Sequence, residues 1–258
     1  NIIEYGELFV EKYFNILINR VETLIIYGDH IISKNYKRLI KYFDFNIIWC
    51  TNNDLQIDEF RLSKKITNTT IYGTGIEIKD LESIIINNNE ISKMYNNIFS
   101  AMTSEILFIS NSSPIRDINK YVKWYKYDFP IYFNRGCSGI DGIISTVIGI
   151  SNGLKKSCVL IIGDISFCYD INGLDMIKKN KYPIKIICLN NNGGKIFDRL
   201  PLKSMLPKSV FEELFTTKPN VSIKNISKAF SINYYLIKSD EKIIFNKKNE
   251  SLIMEILI

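Results

Sequence analysis

The segment from Val159 to Lys195, VLIIGDISFCYDINGLDMIKKNKYPIKIICLNNNGGK, constrains the fold more than any other part of the chain. An apolar run, Val159 to Ile162, ends in Gly163-Asp164, and a mixed polar and apolar segment follows. A second apolar run, Ile184 to Leu189, ends in Asn190-Asn191-Asn192-Gly193-Gly194. Short runs rich in Ile and Val, separated by a helix-length segment, predict strand, helix, strand. Such a crossover makes the two strands parallel, so both carboxyl ends open on one edge of the sheet. Asp164 and Asn191 are therefore expected as near neighbours at the edge where open parallel sheets bind ligands. A carboxylate, an amide oxygen and the backbone carbonyls of the flexible pair Gly193 and Gly194 are hard oxygen donors. They suit a Mg2+ ion already carrying phosphate oxygens. The plainer alternative for Asp164 and Asn191 is a polar strand end that caps the next helix.

The chain has 258 residues, enough to bury a substantial core in one large or two modest domains. No uninterrupted apolar run reaches membrane-spanning length. The start, NIIEYGELFVEKYF, carries Glu4, Glu7 and Glu11 and has neither the apolar core nor the cleavage site of a signal peptide. It also lacks an initiator Met, so the chain is expected to be a fragment or the downstream part of a longer product. The net charge of +6 comes from Lys residues scattered through an Asn- and Ile-rich background, not from an Arg stripe, which argues against a nucleic-acid partner. The five cysteines, Cys50, Cys137, Cys158, Cys168 and Cys188, show no paired spacing. A zinc site or disulfide framework is not expected, and a reducing compartment fits best. The single histidine, His30, reads as a surface or turn residue with no chemistry.

Two α/β parts are expected, with a domain boundary at 88/89. In the first, residues 1–88, a helix-like start precedes LIIYG, then a polar segment through Tyr36 to Phe43, then NIIWC. The asparagines of Ile84-IINNNEIS interrupt the apolar periodicity and mark the junction. The second part, residues 89–258, closes with a strand in Leu252-IMEILI. Ser138 to Gly153 opens with a Ser-x-x-Asp capping box and is expected to be a helix. Gly142, Thr146, Gly149 and Gly153 would share one face, either packed on the sheet or turned to a ligand. Each Gly costs about 1 kcal/mol relative to Ala inside a helix. Three arginines follow informative segments: Arg116 after NSSPI, Arg135 in FNRG and Arg199 after KIFD. Arg is the side chain for bidentate carboxylate recognition, although each alone reads more readily as a surface ion-pair partner than as a ligand.

Gly-Asp followed by Asn-Asn resembles the signature of thiamine diphosphate enzymes, with Ile165 where Gly is usual. The longer segments GDIS-FCYDINGLDMI, LNNNGGKIFDRLP and FNRGCSGIDGIIST are similar to the SEPHCHC synthases of menaquinone and phylloquinone synthesis. The likeness is dense from Leu107 to Pro201 and thinner to the C-terminus. It implies a parallel-sheet α/β domain that binds thiamine diphosphate, preceded by a small α/β central domain. By the same resemblance Asp164, Asn191 and the Gly193 carbonyl hold Mg2+ (or Mn2+). The GDIS segment, Gly163 to Ser166 with Ile165 inside it, lies on the cofactor, Ile140 supports its bent form, and Ile196, Phe197 and Leu200 line the pocket. Ser112, Arg116 and Arg135 face the acidic substrates. On the residues alone, Ile196, Phe197 and Leu200 read as core.

The resemblance further implies a transferase that decarboxylates 2-oxoglutarate and adds the succinyl unit to isochorismate. The family takes its proton-transfer glutamate from a pyrimidine-binding domain that no stretch of this chain replaces. That domain would have to come in cis or in trans, within a homodimer or homotetramer, and the isolated chain is expected to be inactive. Cytoplasm or plastid stroma is the expected compartment, the Ile/Asn/Lys usage being that of an AT-rich genome. Two alternatives stay open: another thiamine diphosphate decarboxylase or acetolactate-type synthase, and a non-catalytic remnant that only binds.

Overall fold

The computed structural model describes residues 6–27, 33–42, 46–50, 63–66, 90–123, 126–135, 137–245 and 250–258. It divides into two compact units, Asn1–Asn87 with Asn119–Lys123, and Asn88–Ile118 with Trp124–Ile258. His30, Glu4 and the expected boundary at 88/89 lie outside the described residues. Among the described residues no helix is long and apolar enough to cross a membrane.

In the first unit, helix α1 (Gly6–Arg20) precedes strand β1 (Thr23–Tyr27), helix α2 (Lys34–Tyr42), and strands β2 (Asn46–Cys50) and β3 (Ser63–Ile66). The strands form a parallel sheet in the order β1-β2-β3. Val10, Tyr13 and Leu17 of α1 recur at helical spacing and bury with Leu39, Ile40 and Ile47. Strand β3, SKKI, carries two lysines in four residues and gave no strand signal in the sequence.

The second unit contains helix α3 (Glu90–Ala101), strand β4 (Ile106–Ile109), helix α4 (Ser113–Tyr121) up to Ile118, strand β5 (Ile131–Phe133) and helix α5 (Ile143–Leu154). Strand β6 (Cys158–Gly163), helices α6 (Asp164–Cys168) and α7 (Leu174–Ile177), and strand β7 (Ile184–Asn190) follow. After short helices α8 (Leu202–Met205) and α9 (Lys208–Phe211) come α10 (Ile223–Ala229), β8 (Asn233–Lys238) and β9 (Leu252–Leu257). The six strands are all parallel, in the order β5-β4-β6-β7-β9-β8. Strand β4 connects outward to β5, and the chain then returns to β6 on the other side of β4. The crevice between the carboxyl ends of β4 and β6 is thus a topological switch point, where open α/β sheets bind ligands. Every residue of β4 is buried, as are Cys158–Ile162 of β6, the pattern of a sheet covered on both faces.

The expected helix over Ser138–Gly153 is shorter than read. Helix α5 starts at Ile143, and Gly142 before it adopts left-handed φ of 64°, so the Ser138–Asp141 capping box does not form. The cap comes from elsewhere in the chain. The carboxylate of Asp170 accepts the Ser145 backbone N–H at 2.7 Å and the Ser145 hydroxyl at 2.9 Å. It satisfies a donor that the helix start leaves open. Asp170→Ala is expected to lower stability by about 1–2 kcal/mol, read as the midpoint of urea unfolding; an unchanged midpoint would remove the capping role. Nor do the small residues make a packed face. A Cβ on Gly149 or Gly153 would meet no atom within 4 Å, and both residues are exposed. The crossover read as one helix is broken into α6, a 3-10 turn over Ile171–Gly173, and α7. A side chain at Gly173 would come within 2.9 Å of the Ser145 hydroxyl, so the break brings the crossover close against α5.

Candidate functional site

At the carboxyl ends of β4, β6 and β7 lies a cleft of about 480 Å3. Gly163 pairs with Leu189 in the β6/β7 register, so Asp164 and the residues after Asn190 leave the sheet side by side. Asp164 is buried at the start of α6. One of its carboxylate oxygens accepts the Ile165 N–H at 2.9 Å, and the other accepts the Gly193 N–H at 2.7 Å across the two strand ends. Burial pushes the Asp164 carboxyl above its ordinary range, while the N–H groups of Gly193, Ile165 and Asn192 pull against it. A buried carboxylate held only by neutral donors lacks a counter-charge, and a cation at this edge would supply it.

Asn191 is the second half of the edge. Its side-chain Oδ1 is buried and has no hydrogen-bond partner. Native structures rarely leave such an oxygen unpaired, and in a residue that lines the cleft it is an unused acceptor of the kind a cation would take. Gly193 is not the flexible residue the sequence suggested. It is buried at φ 128°, and a Cβ there would stand 2.3 Å from the Thr216 carbonyl oxygen. Its own carbonyl accepts the Lys195 N–H at 2.9 Å, and Gly194 donates its N–H to the Thr216 oxygen. Behind the loop, Asn190 donates to Glu255 at 2.6 Å and its side-chain oxygen accepts the Asn192 N–H at 2.9 Å. Glu255 also accepts the Tyr234 hydroxyl at 2.6 Å. Among the described residues no three His, Cys, Asp or Glu side chains gather as a metal cage. The donor set is a single carboxylate with an amide and a carbonyl oxygen, which fits a hard cation completed by phosphate oxygens.

The structure brings Ser112, Ile140, Gly163, Asp164, Ile165, Ser166, Asn191, Gly193, Ile196 and Phe197 together in the lining of this one cleft. Ile196 and Phe197 are not core: the 3-10 turn Lys195–Arg199 has no buried residue, and Phe197 is 39% exposed. Leu200 follows that turn as a half-buried residue outside the lining. Ser112 turns the chain after β4 with φ of 73°, a left-handed conformation that costs a non-glycine residue about 1–3 kcal/mol and clusters at functional sites.

Arg116 and Arg135 stand behind the lining. Arg116 donates to the Ser112 carbonyl at 2.6 Å, and Arg135 donates to Asn111 Oδ1 at 3.1 Å. Asn111 in turn donates to the Gly139 carbonyl at 2.7 Å, which ties the β4 turn to the segment carrying Ile140. Arg199, in contrast, lines the cleft and pairs with Asp117 of α4 at 2.6 Å. Burial lowers the Arg116 guanidinium's affinity for its proton; Arg135 and Arg199 lower it further, and Asp117 partly restores it. Three guanidinium groups and one carboxylate thus share this end of the site. Sequence reading passed over Asn111, Asp117, Asp170 and Glu255. Asp117 follows Arg116 directly, but nothing local announces its pairing with Arg199.

A model of the thiamine pyrophosphate enzyme C-terminal TPP-binding domain matches residues 116–249, just over half of the chain. The chain belongs to the thiamine pyrophosphate enzymes. The matched range holds the Asp164–Asn191 edge, so that edge of the cleft lies in this family's C-terminal TPP-binding domain. Among curated relatives, the chain is 40% identical over 176 residues to the 2-succinyl-5-enolpyruvyl-6-hydroxy-3-cyclohexene-1-carboxylate synthase of Chlorobaculum parvum, covering 65% of this chain and 30% of that protein. The synthase of the same name from Leuconostoc mesenteroides is 42% identical over 135 residues, 52% of this chain and 24% of its own length. That of Bacillus velezensis is 40% identical over 128 residues, 50% of this chain and 22% of its own. The chain therefore covers less than a third of the length of these relatives.

Proposed function

We propose that this chain supplies the diphosphate- and metal-binding half of an enzyme that decarboxylates 2-oxoglutarate and joins the succinyl unit to isochorismate. The product would be 2-succinyl-5-enolpyruvyl-6-hydroxy-3-cyclohexene-1-carboxylate. One observation carries the reading: guanidinium groups gather on one side of the cleft, Arg199 in its lining and Arg116 and Arg135 behind it, in a domain whose named relatives are synthases of this compound. Both substrates are anionic, and a pyruvate-specific decarboxylase would have less use for such an excess of cations.

Asp164, Asn191 and the Gly193 carbonyl would hold Mg2+ or Mn2+, and the cation would screen the diphosphate from the Asp164 carboxylate. Thiamine diphosphate, when bound, supplies the electron sink that makes loss of CO2 from a 2-oxo acid accessible. The protein's part is binding and orientation. Ile140, Ile196 and Phe197 offer apolar surface that excludes water from the cofactor ring. The Ser112 turn, held by Arg116 through its carbonyl, fixes the wall against which a substrate carboxylate is placed. Placement within a fraction of an ångström is what makes orientation contribute to rate. We place the glutamate that activates the aminopyrimidine on a pyrimidine-binding domain, in cis or in trans, within a homodimer or homotetramer.

The test is CO2 release by the purified chain with thiamine diphosphate and Mg2+, with and without an added pyrimidine-binding domain. Release is expected only with that domain and only when 2-oxoglutarate and isochorismate are both present. Release from pyruvate instead would move the chain to an acetolactate-type synthase. Robust turnover by these residues alone would place the proton-transfer group within them.

A further inference from the structure

We propose that Arg199, held in place by Asp117, is a third anion-recognition residue of the cleft and sets its preference for dicarboxylates over monocarboxylates. The proposal rests on the reading that this site takes dicarboxylic substrates.

Arg199 ends the turn that carries Ile196 and Phe197, and Asp117 lies on the helix that carries Arg116. Their 2.6 Å contact joins segments that are remote in sequence and that form two walls of one cleft. The pair is unequal. The Asp117 side chain is 8% exposed, whereas the Arg199 side chain keeps 46% of its surface. A buried carboxylate therefore anchors one edge of a guanidinium whose remainder stays accessible at the cleft. A guanidinium has five N–H donors in a fixed fork, so a partner on one edge leaves the others for a second carboxylate. Neutralising the buried Asp117 carboxylate accounts for one edge of the guanidinium, but not for the part of Arg199 that stays open in the cleft lining.

Charge points the same way. Arg116 feels both Arg135 and Arg199 as like charges, with Asp117 the opposing one. The resulting excess of positive charge is what two carboxylate groups of one ligand would balance. Arg199 would act on a bound carboxylate through its free edge, and Asp117 would act only by positioning Arg199.

The experiment is calorimetric titration of the whole chain with succinate and, separately, with acetate, without cofactor or turnover. Wild type is expected to bind succinate more tightly than acetate. Arg199→Gln should weaken succinate by roughly tenfold to a hundredfold, the range for loss of a charged hydrogen bond, and should change acetate far less. Arg199→Lys, which keeps the charge but not the fork, should fall between. Asp117→Asn is decisive because two explanations predict opposite signs. Removing a negative charge near the ligand would by itself tighten anion binding, whereas loss of the anchor for Arg199 would weaken it. Weaker succinate binding in Asp117→Asn, with melting temperatures of all variants near wild type, is the expected result. Tighter binding in Asp117→Asn, equal losses for succinate and acetate, or no succinate binding by wild type would overturn the proposal. Failure here is separable from failure of the proposed function. Succinate affinity indifferent to Arg199, in a protein that still needs 2-oxoglutarate to release CO2, would remove this inference alone.

Discussion

Asp164→Ala is expected to abolish useful Mg2+-dependent binding of thiamine diphosphate. Asp164 is the charged member of the proposed donor set, and it is buried, so no water can replace it cheaply. Removing one partner of a buried ionic contact costs about 3–5 kcal/mol, or roughly two to four orders of magnitude in affinity. The same substitution leaves the Gly193 N–H, now donating at 2.7 Å, without its acceptor. An unsatisfied buried donor costs about 1–3 kcal/mol, so the loop after β7 should loosen as well. Asp164→Asn separates the two effects. It keeps one acceptor oxygen, enough for the Gly193 N–H but not for the Ile165 N–H as well, and lacks the charge; it should lose the metal response with a smaller loss of unfolding stability than Asp164→Ala. Calorimetry of cofactor binding with and without Mg2+ reads the first effect, and urea unfolding reads the second. Cofactor affinity unchanged in both variants would sink the assignment of this edge.

The second large effect concerns stability at the opposite edge of the sheet. Lys185 enters β7 fully buried, and its ammonium donates to Glu105 at 2.6 Å while lying 4.4 Å over the Phe245 ring. The other Glu105 oxygen accepts the N–H groups of Thr103 and Ser104 and the Thr103 hydroxyl. Burial alone would raise the Glu105 carboxyl, but Lys185 and these donors outweigh it and hold it down to about 2. Glu105→Ala would strand the ammonium in the interior, and a loss of about 3–5 kcal/mol is expected. Glu105→Leu combined with Lys185→Met should recover most of that loss, because an apolar pair of similar volume needs no desolvation of charge. The pH dependence follows from the sign of the shift. A depressed carboxyl contributes stability that is present above its unfolded value near 4.5 and is lost as pH falls toward about 2. Urea midpoints should therefore drop over that window in wild type and much less in the double variant. A double variant as unstable as Glu105→Ala would show that the pair is not the cause.

Part of this molecule was legible before any coordinates. Ile/Val-rich runs of strand length, separated by a helix-length segment, predict a parallel crossover, because parallel neighbours need a connection of that length to carry the chain back to the same end of the sheet. The edge that joins Asp164 and Asn191 follows from that alone, and so does the final strand at Leu252. Periodicity is a local signal, and it served where the structure is local. It failed where distant residues decide. The start of α5 is set by Asp170 from the next crossover, so a reading confined to Ser138–Asp141 chose the wrong cap. Gly193 looked flexible because glycine is permissive, yet its backbone is pinned between Asp164 and the Thr216 carbonyl.

Residue chemistry by itself was enough to expect the strands that end in Gly163-Asp164 and Asn190-Asn191, the edge they share and the oxygen atoms offered there, since these depend on strand pattern and on which atoms the side chains carry. Only the tertiary structure decided which charges meet. The pairing of Asp117 with Arg199 and of Glu105 with Lys185 joins residues far apart along the chain. A charge acts over distance in space, not along the sequence, so no spacing rule could have paired them.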